Sequence, residues 1–350
     1  MHSRGQSSTC QSSTCQSSTT LNSGFGGSSN AAGIKKKKKE FILDTSPSTM
    51  DFNSHLKTFP GLSKTLSNVC IGISKNGKGM RGLYARRSIA EGETIVEIPY
   101  ENCVDLGNQY GGGGMGGGGD PTLLVPALLD RMAEDGPYLP YFKLLGTEGE
   151  ILCTDYWDDE TLDMLQLPFI KAETLRRREK LEAIPGSSRE RKLAALTFIT
   201  SRVLTVEGEE EGPFHKLLIP LLDLANHHPN SRHILTGRAI PTGTLKIVAG
   251  RDVRENEEIL IKYGTEGNDR FVQDYGFLQE GGYVPVVRNL TSRKQGGSLL
   301  LAEKNEAIEA LKKTTLQEDE IAIENLDSAS ASTKLALTMR IGMKRALSKF

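Results

Sequence analysis

The chain has 350 residues, with 43 Lys and Arg against 44 Asp and Glu, so its formal net charge at pH 7 is −1. A nearly neutral chain has no global field that attracts nucleic acid, so no direct nucleic-acid binding is expected. No apolar stretch approaches the ~18 residues of a membrane span, and no secretory apolar core stands near the N-terminus. The five cysteines include no pair at the spacing of zinc or redox sites. These features predict a soluble intracellular protein without a membrane partner.

The first 50 residues are predicted to be a disordered tail. Residues 6–10 (QSSTC) repeat at 11–15 and, imperfectly, at 16–20, and a run of lysines follows at 35–39. Such a segment cannot bury enough apolar area to order itself. The Ser and Thr content is typical of a transit peptide, the lysine run is typical of a nuclear address, and a plain solvated tail accounts for both. Plastid, cytoplasm and nucleus therefore all stay open as compartments.

The segment from residue 62 to 104 has the pattern of short strands joined by turns. Strands are predicted at residues 69–74, 82–87 and 94–98, with turn residues between them. The glycine-rich residues 111–119 are predicted to form a flexible, exposed insertion, because glycine loses the most conformational entropy on ordering.

A helical pattern begins at residue 121 and predicts a helical insertion at about residues 120–206. Its last helix is predicted over residues 190–206. Arg202 lies on the apolar face of that helix, so its side chain either extends to solvent or is buried with a partner.

The remainder of the chain returns to strands and then to helices. Strands are predicted at residues 243–249 and 258–263, and helices at residues 298–313 and 332–348 with an acidic loop between them. The predicted organisation is a tail (1–50), an α+β domain with the insertion (51–285) and a short helical region (286–350).

A polar set follows the apolar run at residues 217–222 and consists of Asp223, Asn226 and His227. A run this apolar is seldom on the outside of a protein, so its polar neighbours need partners or a ligand. Three explanations compete. Asn226 and His227 could form a structural turn; His227, His228 and His233 could bind a metal; or the set could line a ligand pocket.

Two later tyrosines favour the ligand pocket. Tyr263 precedes Gly264, and Tyr275 precedes Gly276 and Phe277. Glycine lets the backbone come close to a flat or charged group while the tyrosine ring faces a pocket. Packing alone does not readily produce this order of polar and aromatic residues.

Four motifs in this order resemble those of the SET-domain methyltransferases. The motifs are residues 77–86 (GKGMRGLYAR), Asp223 to His227, residues 257–264 (EEILIKYG) and residues 268–277 (NDRFVQDYGF). The resemblance covers roughly residues 62–285 and is to the branch that contains the plant Rubisco large-subunit lysine methyltransferase and the actin-histidine methyltransferase. It implies an α+β SET domain of short twisted β-sheets with a knot-like crossing, a helical insertion and a small C-terminal α-helical region that selects the substrate.

The resemblance also implies roles for individual residues. In the family, S-adenosylmethionine (S-adenosyl-L-methionine) lies in a cleft, and the acceptor nitrogen enters through a narrow channel from the opposite face. Tyr263 is expected to be catalytic, with its hydroxyl orienting the acceptor amine. The cofactor is expected to contact Gly79, Met80, Arg81, Gly82, Asn226, His227, Tyr263, Tyr275 and Phe277. Arg202 and Asp223 are expected near the acceptor channel, either as an ion pair that shapes its wall or with Arg202 only capping a helix, and no metal is expected.

The function implied by the resemblance is S-adenosylmethionine-dependent transfer of a methyl group to a lysine side chain of a protein substrate, by a monomer. Methylation of histidine is the nearest alternative, because its channel should favour a neutral ring. A catalytically silent SET module that binds a peptide is another, and a metal-dependent hydrolase built on the three histidines is a third.

Overall fold

The computed structural model describes residues 41–75, 79–108, 119–146, 152–209, 214–292, 299–326 and 330–349. The expected tail up to residue 40 and the glycines at 111–118 lie outside the described residues. Among the described helices, none has both the length and the apolar content needed to cross a membrane.

The strands are short and alternate along the chain with turns and helices. They are β1 (Phe41–Leu43), β2 (Val69–Ser74), β3 (Arg81–Ala85), β4 (Thr94–Pro99), β5 (Val104–Asp105), β6 (Leu204–Glu207), β7 (Phe214–Leu218), β8 (Asn226–His227), β9 (Ile234–Gly237), β10 (Thr244–Val248) and β11 (Glu258–Ile261).

These strands form small sheets rather than one continuous sheet. A five-stranded sheet has the order β1-β2-β3-β11-β8, and two three-stranded sheets have the orders β4-β10-β9 and β5-β7-β6. Strand pairs are antiparallel except β8 and β11, which are parallel with Asn226 opposite Leu260 and His227 opposite Ile261. This parallel pair brings the polar set beside the segment that leads to Tyr263.

The helices precede the sheets, interrupt them and follow them. They are α1 (Pro47–Leu56), α2 (Ser63–Asn68), α3 (Val125–Arg131), α4 (Leu139–Leu145), α5 (Asp159–Met164), α6 (Pro168–Glu182), α7 (Arg189–Arg202), α8 (Asn268–Arg270), α9 (Tyr283–Thr291), α10 (Leu301–Leu311), α11 (Leu316–Glu324) and α12 (Ala331–Leu347). A π-helical turn, Phe271–Tyr275, continues α8 and is called the π turn below.

Buried apolar side chains form two large cores. The first lies between the sheets and helices α1, α3, α4 and α7, and the second joins α5 and α6 to the C-terminal helices α9, α10 and α12. Helix α6 contributes Ile170 to the second core and Leu181 to the first. The helical insertion is therefore divided between the two cores, and α6 connects them.

The predicted α+β class, the helical insertion and the C-terminal helices are confirmed, but several boundaries were wrong. Residues 41–50, expected in the disordered tail, contain β1 and the start of α1. The last helix of the insertion ends at Arg202 instead of continuing to residue 206, because Leu204–Glu207 pairs with β7. The expected acidic loop near the C-terminus contains α11.

Candidate active site

A strained residue, Leu221, lies two positions before the polar set. Leu221 is buried, with φ 75° and ψ −48°, a backbone conformation that side chains with a Cβ rarely adopt. A short 3₁₀ turn, Leu222–Leu224, follows and leads into β8. Strain of this kind costs about 1–3 kcal/mol and clusters at functional sites. No sequence pattern indicated this strain, because leucine is not a residue that favours a positive φ.

Asn226 connects β8 to β3, the strand that lies within the first motif (residues 77–86, called the glycine motif below). Its Nδ2 donates to the main-chain oxygen of Arg81 at 2.9 Å and to Glu258 Oε1 at 2.8 Å, which uses both amide hydrogens. Burial raises the pKa of Glu258, and the hydrogen bond from Asn226 opposes that shift. Glu258 was not among the predicted site residues, although it lies within the third motif.

Two glycines of the glycine motif have different roles: Gly79 lies in its turn, and Gly82 lies against the side chain of Asn226. Gly79 has φ +78°, and no atom of the described residues lies within 4 Å of a Cβ built there, whereas a Cβ at Gly82 would lie 2.7 Å from Asn226 Nδ2. The close approach at Gly82 is therefore to the protein's own side chains. Met80 is 56% exposed, and its main-chain oxygen accepts from Ser74.

The side chain of Arg81 is directed into the protein. Its Nε donates to Asp44 Oδ2 at 2.9 Å, and its Nη1 donates to the main-chain oxygen of Leu144 at 3.3 Å. Burial alone would raise the pKa of Asp44, but hydrogen bonds from Thr49, Ser46 and Arg81 lower it to about 2. Because these contacts use the guanidinium, the predicted contact between Arg81 and the cofactor is expected only from the main chain of Arg81, and it stays a prediction.

His227 is held on both ring nitrogens. The main-chain N–H of Tyr263 donates to Nδ1 at 3.1 Å, so Nε2 carries the hydrogen and donates to Gln279 Oε1 at 3.0 Å. Burial lowers the pKa of this histidine, which keeps the ring neutral at pH 7. Gln279 was missed in the sequence because nothing in its local pattern distinguishes it.

The three histidines of the metal hypothesis do not form a donor set. Nδ1 of His228 accepts from the main chain of Asn230, and Nδ1 of His233 accepts from the main chain of Gly250. Within the part of the chain that the structure describes, no group of three or more His, Cys, Asp or Glu residues could hold a metal ion.

An aromatic cluster follows the polar set. The Tyr263 hydroxyl donates to the main-chain oxygen of Ala225 at 3.0 Å, and its ring stacks on Tyr275 with centroids 5.1 Å apart and planes 28° apart. Phe271 stacks on the Tyr275 ring, and Phe277 packs against His227, Phe271 and Tyr275. Burial, followed by the charge of Asp274, raises the pKa of Tyr275.

A groove of about 920 Å³ runs past this cluster and contains four of the predicted site residues in its wall, Arg202, Asp223, Tyr263 and Tyr275. The other predicted residues, Gly79 to Gly82, Asn226, His227 and Phe277, are not among the described residues that line it. The predicted site is therefore divided between the groove wall and the layer behind it.

Arg202 and Asp223 contact each other at one side of the groove. Nη1 of Arg202 donates to the main-chain oxygen of Asp223 at 2.6 Å. The Asp223 side chain is buried, and its Oδ2 accepts from the hydroxyl of Tyr141, a residue that the sequence did not indicate. Arg202, the last residue of α7, is therefore hydrogen-bonded to the main chain of the polar set.

Comparisons with known proteins agree with the sequence resemblance. A family model described as SET domain matches residues 80–264. The actin-histidine N-methyltransferase of Danio rerio is 29% identical over 182 residues, which are 46% of this chain and 30% of that protein. The N-lysine methyltransferase SETD6 of Mus musculus is 24% identical over 236 residues, which are 57% of this chain and 48% of that protein. The chain therefore spans less than half the length of these two relatives.

A solved structure supports the same fold. The SET domain of LSMT bound to MeLysine and AdoHcy superimposes with a TM-score of 0.59 and 16% identity, covering 87% of this chain and 91% of that chain. At this level of identity, the likeness shows the fold alone.

Proposed function

The chain belongs to the SET-domain family, and from this premise we propose that it is an S-adenosylmethionine-dependent protein methyltransferase whose acceptor is a lysine side-chain amine. The observation that carries the proposal is the tyrosine pair in the groove wall. Tyr263, with its hydroxyl fixed by Ala225, stacks on Tyr275 in the same groove that contains Arg202 and Asp223.

The groove suits the cofactor in size and in chemistry. Small-molecule sites have volumes of roughly 300–1,000 Å³, and the groove of about 920 Å³ leaves room for a cofactor and an acceptor side chain. S-adenosylmethionine supplies, when bound, a methyl group on a positively charged sulfur. Arg202 and Asp223 would line the acceptor side of the groove, and the electron-rich ring of Tyr263 would favour the positive charge of the cofactor.

The other residues expected to contact the cofactor are not among the described residues that line the groove, so their contacts stay a prediction. Asn226 and His227 already hold neighbouring strands with their side chains, so their expected contacts with the cofactor fall to main-chain groups. The same holds for Arg81, whose guanidinium is bound by Asp44.

A lysine acceptor must lose its proton before it can act as a nucleophile. An ordinary lysine pKa of ~10.4 lies about three units above neutral pH, so the free amine costs roughly 4 kcal/mol. Removal from water disfavours the ammonium form, and burial has already raised the pKa of Tyr275 in the same wall. The Tyr263 hydroxyl, directed by its hydrogen bond to Ala225, would then hold the amine lone pair in one orientation.

The test is transfer of label from S-adenosylmethionine carrying a radioactive methyl group to proteins of a cell extract by the purified full chain. We expect a labelled protein whose modified residue, identified by mass spectrometry, is lysine. Tyr263→Phe should reduce the initial rate by on the order of a hundredfold, because the acceptor loses its orienting hydroxyl. Tyr156→Phe, which removes a hydroxyl from a tyrosine outside the groove, is the matched control.

Other outcomes separate the competing functions. The histidine alternative is supported by the likeness to the actin-histidine methyltransferase, and label on a histidine would replace the lysine proposal with it. Calorimetry with S-adenosylmethionine identifies a silent module, which would release no heat. Cofactor binding without any labelled protein at pH values up to ~9.5, where far more of the lysine is deprotonated, would contradict the enzymatic proposal.

A further inference from the structure

The π turn that presents Tyr275 is held from outside by a buried arginine. Nη1 of Arg177, on α6, donates to Asp274 Oδ1 at 2.8 Å, and Asp274 directly precedes Tyr275. The hydroxyl of Thr200, on α7, donates to the main-chain oxygen of Asp274 at 3.3 Å. Two helices of the insertion therefore bind the residue next to Tyr275.

Arg177 differs from the arginines on either side of it. Its side chain is 1% exposed, whereas those of Arg176 and Arg178 are 38% and 13% exposed. The carboxylates of Asp155, at 3.4 Å, and Glu173, at 3.1 Å, also accept from its guanidinium. A buried charge is costly unless it is paired in this way, and such groups can fix one arrangement of neighbouring elements. Arg177 and Asp274 both line the groove.

The C-terminal end of the π turn is fixed at a second point. Gly276 has φ +73°, and a Cβ there would lie 2.5 Å from the carbonyl carbon of Leu152 and 2.6 Å from the nitrogen of Cys153. This close approach needs glycine. The segment that meets Gly276 leads directly into Asp155, so both contacts place the turn against the same part of the insertion.

We propose that Arg177 is a positioning residue, which holds Asp274 and thereby fixes the stacked Tyr275 and Tyr263 rings in the groove wall. Helix α6 also connects the two cores, so the arginine links the packing of the C-terminal helices to the geometry of the groove. The effect on methyl transfer rests on the proposed function, whereas the effect on the tyrosine pair does not.

The geometric claim is tested by ¹⁹F NMR of the full chain labelled with 3-fluorotyrosine. The Tyr263→Phe and Tyr275→Phe variants assign the two resonances. Asp274→Ala releases the turn while Asp155 and Glu173 still compensate Arg177. We expect Asp274→Ala to shift or broaden both resonances. Asp155→Asn is the matched control, because it changes another carboxylate of the same buried cluster while the contact between Arg177 and Asp274 remains, and it should leave both resonances in place.

The conservative variant Arg177→Lys keeps the charge but cannot form the forked contacts, so it should produce a smaller change of the same kind. Circular dichroism confirms that each variant is folded, and Arg177→Lys carries the test if Asp274→Ala does not fold. Unchanged resonances in the folded variants, or equal changes in Asp155→Asn, would overturn the proposal.

A kinetic measurement extends the test to function. Asp274→Ala should lower kcat/KM for the labelled substrate by roughly tenfold to a hundredfold, mainly through kcat, because a small misplacement of an orienting group has effects of this size. Asp155→Asn should retain the wild-type value. If the wild-type chain transfers no methyl group, the proposed function fails, and the NMR result still decides whether Arg177 positions the tyrosines.

Discussion

Gly82 has no room for a side chain, because an added Cβ would lie 2.7 Å from both Asn226 Nδ2 and Glu258 Oε1. Gly82→Ala should therefore displace the amide that joins β3 to β11 and reduce the free energy of unfolding by about 1–3 kcal/mol, the usual cost of overpacking. Denaturant titration measures this loss. Gly146→Ala is the control, since its Cβ would lie 3.5 Å from its nearest neighbour and would make ordinary contact. Equal losses in the two variants would show that Gly82 is not restricted by its surroundings.

Asp155 should make the folded protein less stable as pH rises. Burial raises the pKa of Asp155 to about 6, against an ordinary value of 3.8, although Arg177 opposes the shift. An acid with a raised folded-state pKa gives its full stabilisation below the unfolded pKa and loses it as pH rises through the folded pKa. The loss therefore falls between about pH 4 and pH 7, and two pKa units correspond to at most about 3 kcal/mol.

The variant Asp155→Asn isolates this effect. Its free energy of unfolding, minus that of the wild type, should increase steadily from pH 4 to pH 7 in denaturant titrations. A difference that is independent of pH would mean that Asp155 is ionised throughout that range. Glu160→Gln, a change on the exposed side of α5, supplies the control for loss of one surface charge.

The predicted site residues show what a local sequence pattern can and cannot give. The motifs indicated Tyr263, Tyr275 and Asp223, which stand next to glycines or a long apolar run, and the apolar face of the predicted helix together with the resemblance indicated Arg202. All four line the groove. The motifs did not give the direction of side chains. Arg81 turns toward Asp44, which lies 37 residues away in sequence, and no local pattern encodes such a pairing.

At the scale of elements, strands and helices followed the patterns wherever local preference and tertiary packing agreed. Predicted residues 94–98 and observed β4 nearly coincide, since the apolar residues Ile95, Val96 and Ile98 there are all buried in the core. The end of α7 was misplaced because Leu204–Glu207 continues the helical pattern but is recruited as a strand by β7. Pairing with a distant segment decided the conformation there.

Helix α11 was missed for a different reason. Its charged sequence reads as a loop, but Thr315 and Glu318 form a capping box at its start, and Asp319 is fully buried against Arg340 at 2.7 Å and Lys344 at 2.6 Å. The capping box was visible in the sequence. The partners of Asp319 come from α12 and were not. Arg177 is similar, since a run of three arginines suggests a solvated face until Asp155 and Asp274 are brought beside it.

At the scale of the whole molecule, the two cores are expected to unfold together. The described residues belong to one compact unit, and α6 has Ile170 in one core and Leu181 in the other. Loss of either core would remove part of the burial that stabilises this helix, so neither core should persist alone.

Trp157, the single tryptophan of the chain, makes this cooperativity measurable because it lies in the second core. Its fluorescence reports that core during denaturant unfolding, whereas far-UV circular dichroism reports helices and strands of both cores. The two transitions should coincide.

Met339→Ala removes a fully buried side chain of α12 and should lower both midpoints equally, with a loss of about 2–5 kcal/mol in the free energy of unfolding. Met50→Ala, at a position 53% exposed, should move neither. A fluorescence transition that precedes the dichroism transition in Met339→Ala would show that the second core unfolds by itself, and that α6 does not couple the C-terminal helices to the groove.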